Sequence, residues 1–164
     1  MSHFILSKEV AYKKIERMAY EIVERNMEED TIILAGIKNS GLIIASILYK
    51  FLKKIFKGEI IIVTISIDKK EPKSIALTPL INFDNEVIIL IDDVSNSGKT
   101  LLYAMKPFLE FYPKKIQTLV LVERSYKEFP ISPDYVGLSV ATALSERIVV
   151  ETAGGEILGA TINQ

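Results

Sequence analysis

The chain has 164 residues, 49% of them hydrophobic and 25% charged, with a net charge of −1 and no cysteine. That is enough apolar chain for one globular domain, residues 1–164, with a substantial core. A charge this balanced excludes long-range attraction to nucleic acid or membrane as the organising interaction, and the lack of cysteine excludes a disulfide framework.

Met1-Ser2-His3-Phe4-Ile5-Leu6-Ser7 lacks the basic region and signal-length apolar core of a secretory leader, and no apolar run reaches membrane-spanning length. A cytoplasmic protein with no membrane partner is expected, its first residues forming a mobile tail in which the lone His3 has no catalytic part. Ser7 then caps a helix running to about Met27, with Ala11, Ile15, Met18, Ala19 and Ile22 as its apolar stripe. Thr31 to Gly36 reads as a first buried strand, Ile37 to Gly41 as a loop, and Leu42 to about Lys54 as a second helix. Lys50, Lys53, Lys54 and Lys57 gather at that helix's end, where cations complement the macrodipole and solvate a surface; an RNA contact is the rival reading.

Glu59 to Ile67 is a β-branched strand. Asp68-Lys69-Lys70-Glu71-Pro72-Lys73-Ser74 is polar and broken by proline, hence a loop or mobile arm. Ile88-Ile89-Leu90-Ile91-Asp92-Asp93 is an apolar run ending in two carboxylates, read as a buried parallel strand. Asn96-Ser97-Gly98-Lys99-Thr100 follows as a small-residue loop, and a helix from Leu101 to about Tyr112 should break or kink at Pro107. Ile116 to Val122 is the next strand, Asp134 to Leu138 a short one, and Arg147 to Glu151 another, before a structural turn at Gly154-Gly155. Strands alternating with helices indicate an α/β fold with a doubly wound, mostly parallel sheet, beside which the C-terminal third forms a small irregular hood.

The central strand, loop and helix form a phosphate cradle with two acids beside it. Backbone N–H groups at a helix start favour an anion, Ser97 and Thr100 add hydroxyl donors, and Gly98 lets the backbone come close. The rival is the nucleotide-triphosphate loop G-x-x-x-x-G-K-[ST], but its first glycine falls on Asp93, where a carboxylate repels a triphosphate. Asp92 and Asp93 suit a group that donates hydrogen bonds or carries a cation, such as a ribose diol with Mg2+. Lys38-Asn39-Ser40-Gly41 repeats the plan and offers a second anion site.

An apolar run, Asp92-Asp93, two variable positions and Ser97-Gly98-Lys99-Thr100 resemble the phosphoribosyl-pyrophosphate (PRPP) signature of type I phosphoribosyltransferases. The resemblance implies that Asp92 and Asp93 are catalytic, holding the ribose hydroxyls and Mg2+ through water, and that Asn96 to Thr100 hold the 5′-phosphate. It also places pyrophosphate on Lys38, Asn39, Ser40 and Gly41, where relatives carry Lys-Thr-Arg-Gly; here Ser40 replaces the arginine. In the family a flexible arm folds over the substrates, and here it is short, with Ser66-Ile67 in place of Tyr-Arg.

Val122-Glu123-Arg124, Phe129 to Gly137 and Ala141 to Glu146 are similar to the pyrimidine operon attenuator/uracil phosphoribosyltransferase family, from about Leu6 to Val150. That resemblance implies a Mg2+-dependent transferase using PRPP and a pyrimidine base, uracil to UMP, and releasing pyrophosphate, as a homodimer or larger. Arg124 and Tyr126 would border the base, although an ion pair of Arg124 with Glu123 or Glu128 is an equal reading. Purine-salvage relatives carry an aspartate where this chain has Asn96, which cannot act as a base. Ser125-Tyr126-Lys127 replaces the relatives' Gly-His-Arg, and Leu138 replaces a lysine. Two alternatives stand beside the enzyme: an RNA-binding attenuation regulator, and a protein of this fold that binds PRPP or nucleotide with little catalysis.

Overall fold

The computed structural model describes residues 2–164. Strand β1 (Ser2–Ser7) runs into helix α1 (Lys8–Arg25), and Ser7 caps it by accepting the Val10 amide at 3.3 Å. Strand β2 (Thr31–Ile37) leads to helix α2 (Ser40–Ile55), then come β3 (Glu59–Ile67), β4 (Ile75–Thr78) and β5 (Val87–Ser95). Helix α3 (Lys99–Ala104) has only six residues; Met105 ends it, and a 3-10 turn at Lys106–Glu110 takes Pro107 in its opening positions. The break expected at Pro107 is present, because its ring removes an internal hydrogen bond. Strands β6 (Lys115–Arg124), β7 (Tyr135–Val140), β8 (Arg147–Ala153) and β9 (Glu156–Asn163) complete the chain.

Six strands form the main sheet in the order β4-β3-β2-β5-β6-β7, all parallel except the edge strand β4. Alternation along the strands divides the core into two layers. Ile32, Leu34, Ile89 and Ile91 face α1 and α2. Ile33, Ala35, Ile88 and Leu90 face α3 and an aromatic cluster of Phe83, Phe108 and Phe111, with Phe83 at 4.9 Å from Phe108 and 5.3 Å from Phe111. Such burial on both faces is why these strands read as continuous apolar runs.

Two expectations at the ends of the chain are corrected. The first residues are not a mobile tail: His3 pairs with Ile162, and β1 joins β9 and β8 in an antiparallel three-stranded sheet. The hood is therefore regular, closed at Gly154-Gly155 by the turn between β8 and β9. The residues that pair across it lie at opposite ends of the chain, and no local pattern could announce their meeting. No helix among the described residues is long and apolar enough to cross a membrane.

Strand order reverses between β2 and β5. Connections leave β2 toward β3 and leave β5 toward β6, so a crevice opens at the carboxyl ends of β2 and β5. Gly36 of β2 pairs with Ile91, so Asp92 is the first residue of β5 beyond that ladder.

Candidate active site

Asp92 and Asp93 stand at the mouth of the crevice. Each carboxylate accepts the next residue's amide: Asp92 Oδ1 from Asp93 N at 2.9 Å, and Asp93 Oδ1 from Val94 N at 2.8 Å. The Asp92 side chain is only 2% exposed, against 18% for Asp93. Burial, with the Asp93 charge beside it, pushes the Asp92 carboxyl up to about 7, against the opposing pull of Lys69.

Lys69 is the cation. Its Nζ lies 3.0 and 3.2 Å from the two Asp92 carboxylate oxygens and 3.6 Å from Asp93 Oδ1. Burial disfavours its charge, but the two carboxylates outweigh that and hold its pKa above the usual lysine value. In sequence Lys69 belongs to the polar loop after β3, where a lysine among lysines carries no local mark of its partner.

The loop after β5 curls beside the acids. Gly98 has φ +88°, a left-handed conformation that glycine adopts freely, and a Cβ there would lie 3.1 Å from Ile131 Cβ. The Ser97 carbonyl accepts the amides of Glu128 and Phe129, both at 3.0 Å, which clamps the loop to the crossover after β6. Ser97 Oγ accepts the Lys99 amide at 3.3 Å. Residues 92–100 and Lys69 line a cavity of about 210 Å3 that Ile148 of β8 closes on one side. Ser95 lines it too, and its buried hydroxyl has no hydrogen-bond partner among the described residues.

A second cavity of about 420 Å3 shares Asn96 and Ile148 with the first and adds Arg124, Arg147 and Val149. Arg124 makes neither of the ion pairs considered for it. Its Nε donates to Thr142 Oγ1 at 2.7 Å and its Nη2 to the Ala143 carbonyl at 2.9 Å, tying β6 to the segment ahead of β8. Tyr126 is exposed, donates to Glu128 Oε1 at 2.9 Å, and lines neither cavity. Arg147, which has no site role in the sequence analysis, lines this second cavity.

On the far side of the crevice, Lys38 and Asn39 are exposed after β2, joined by a cis peptide, and the loop leads through Ser40 into α2. Gly41 brings this loop against the acids: a Cβ there would overlap the Ile91 carbonyl oxygen and sit 3.1 Å from the Asp92 Cα. Neither cavity is lined by residues 38–41, so the two loops face one crevice without sharing an enclosed space.

Among the described residues no three histidine or acidic side chains gather to hold a metal alone. Two adjacent carboxylates fit a hard cation that takes its other ligands from water and substrate phosphates, as Mg2+ commonly does.

This architecture is that of the type I phosphoribosyltransferases. A hypoxanthine-guanine phosphoribosyltransferase from Bacillus anthracis superposes with a TM-score of 0.73 at 21% identity, covering 89% of this chain and 85% of that one. At that identity the likeness is one of fold. The family described as phosphoribosyl transferase domain matches residues 4–153, and the chain belongs to it. It is 32% identical over 162 residues to the Bifunctional protein PyrR of Haemophilus ducreyi, covering 93% of this chain and 90% of that protein. It is 36% identical over 144 residues to the protein of the same name from Streptococcus pneumoniae, covering 85% and 83%.

Proposed function

We propose that this chain transfers the phosphoribosyl group of PRPP to a pyrimidine, uracil in the first instance, giving UMP and pyrophosphate. The observation that carries this is the placement of Asp92 and Asp93 at a crevice whose two sides are loops suited to phosphate. The 5′-phosphate rests on Asn96 to Thr100, the ribose hydroxyls meet the two acids, and Lys38, Asn39, Ser40 and Gly41 receive the pyrophosphate. A uracil nitrogen attacks ribose C1 as the bond to pyrophosphate breaks, and the nitrogen's proton passes to the departing pyrophosphate. Positive charge grows on the ribose in between, and the two acids stabilise it. Asp92 and Asp93 would hold Mg2+, which would neutralise charge on the pyrophosphate.

The second cavity suits the base. Asn96, Arg124 and Arg147 bring hydrogen-bond donors to carbonyl oxygens, with Ile148 and Val149 as the apolar floor. Asn96 offers no carboxylate to take a proton from a purine, which favours a pyrimidine. A spectrophotometric assay with uracil, PRPP and Mg2+ tests this: UMP is expected, and its absence at high enzyme concentration removes the uracil assignment.

A second reading is favoured by the name of the relatives, which are called bifunctional. Lys50, Lys53, Lys54 and Lys57 are all exposed at the end of α2 and form a basic surface suited to RNA phosphates. A gel shift with pyrimidine-operon leader RNA, strengthened by UMP and weakened steeply by salt, is the expected sign of regulation. No shift at low salt excludes it.

A further inference from the structure

Lys69 extends from the hairpin between β3 and β4, across the carboxyl end of β2, to the acids of β5. The hairpin is short and tied. Ile67 pairs with Ile75, and Asp68 Oδ1 accepts the Lys70 amide at 2.9 Å and the Glu71 amide at 3.5 Å, bracketing Lys69. Its ammonium group touches three oxygens of the two carboxylates at once, the donor set a divalent cation would use. Among the described residues no other lysine or arginine forms an ion pair with either acid, although Lys99 lines the same cavity.

An ordinary surface ion pair does not account for this arrangement. Asp92 is almost wholly buried, whereas Lys69 is 45% exposed at the tip of the hairpin. A buried carboxylate keeps a strong demand for a cation, while a half-exposed lysine gives up little on returning to water. The ammonium also lies where a ribose hydroxyl or a metal's water would have to be.

We propose that Lys69 is an internal cation that closes the site in the ligand-free protein, so that a divalent ion and Lys69 are alternative occupants of one carboxylate pair. Binding of the metal-bearing sugar pyrophosphate then requires the hairpin to release the acids, coupling the position of the arm to ligand occupancy. This rests on the PRPP reading for the identity of the ligand, but not for the competition itself.

Mn2+ alone is the first probe, followed by electron paramagnetic resonance on the ligand-free protein. Lys69→Met is expected to bind Mn2+ at least about tenfold more tightly than wild type, and Lys69→Arg, which keeps the charge, to match wild type. Equal or weaker Mn2+ binding by Lys69→Met overturns the proposal. In case Lys69→Met does not fold, the wild-type chain is acetylated and read by mass spectrometry. Lys69 is expected to become more reactive relative to Lys70 on adding Mg2+ and PRPP; unchanged or reduced reactivity with PRPP bound overturns the proposal. Calorimetry keeps the two readings apart. If neither wild type nor Lys69→Met binds PRPP with Mg2+, the PRPP reading fails and the Mn2+ comparison still decides the role of Lys69.

Discussion

The crevice is built from the same strand–loop–helix plan used twice, and the two copies have diverged. After β5 one of the two acids, Asp92, is buried, the loop is clamped by the crossover, Gly98 is held left-handed, and the helix lasts six residues. After β2 the loop is exposed, Asn39 makes no side-chain cap bond, and the helix runs for sixteen residues. The β5 copy concentrates its charge and donors around one cavity, whereas the β2 copy spends its apolar helix on the core and leaves its loop exposed. The two units meet at Gly41, packed against Ile91 and Asp92.

The most severe way to break that division is to neutralise the β5 acids. Replacing Asp92 and Asp93 together by asparagine is expected to weaken PRPP binding, measured by calorimetry with Mg2+, by at least about a hundredfold. Undiminished affinity would move the site elsewhere. Asp92→Asn alone also reads the cost of its burial. The native pKa of about 7 lies above the unfolded value near 3.8, so the stability it contributes is complete below about pH 4 and lost as pH rises to about 7. In urea titrations Asp92→Asn is expected to gain on wild type between pH 4 and pH 8; a constant difference would mean that burial does not perturb Asp92.

Gly41→Ala attacks the contact between the two copies. Its Cβ would overlap the Ile91 carbonyl, and a loss of about 2–3 kcal/mol in chemical denaturation is expected for backbone forced out of a packed position. Gly98→Ala, on the chemical side, should cost less, about 1–2 kcal/mol, from the left-handed conformation alone. Its larger effect is expected on PRPP affinity. If Gly98→Ala lowers stability and leaves binding unchanged, the loop serves folding more than phosphate.

The smallest change sharpens the open copy. Ser40→Arg adds a bidentate donor to that loop, and it should tighten PRPP binding by about tenfold. An unchanged affinity would place pyrophosphate away from the β2 loop.

The α/β fold, the parallel strands, the break at Pro107 and the acids with their glycine loop were all legible in the chain. Each is a local pattern: an apolar run, a cap, a ring without an amide hydrogen, two carboxylates beside small residues. Tertiary structure alone decided that β1 would pair with β9, that Arg147 rather than Tyr126 would line the second cavity, and that Lys69 would be the lysine to reach the acids. Those outcomes depend on which elements the sheet order sets side by side. A charge or a strand edge carries no sign in its own neighbourhood of a partner far along the chain.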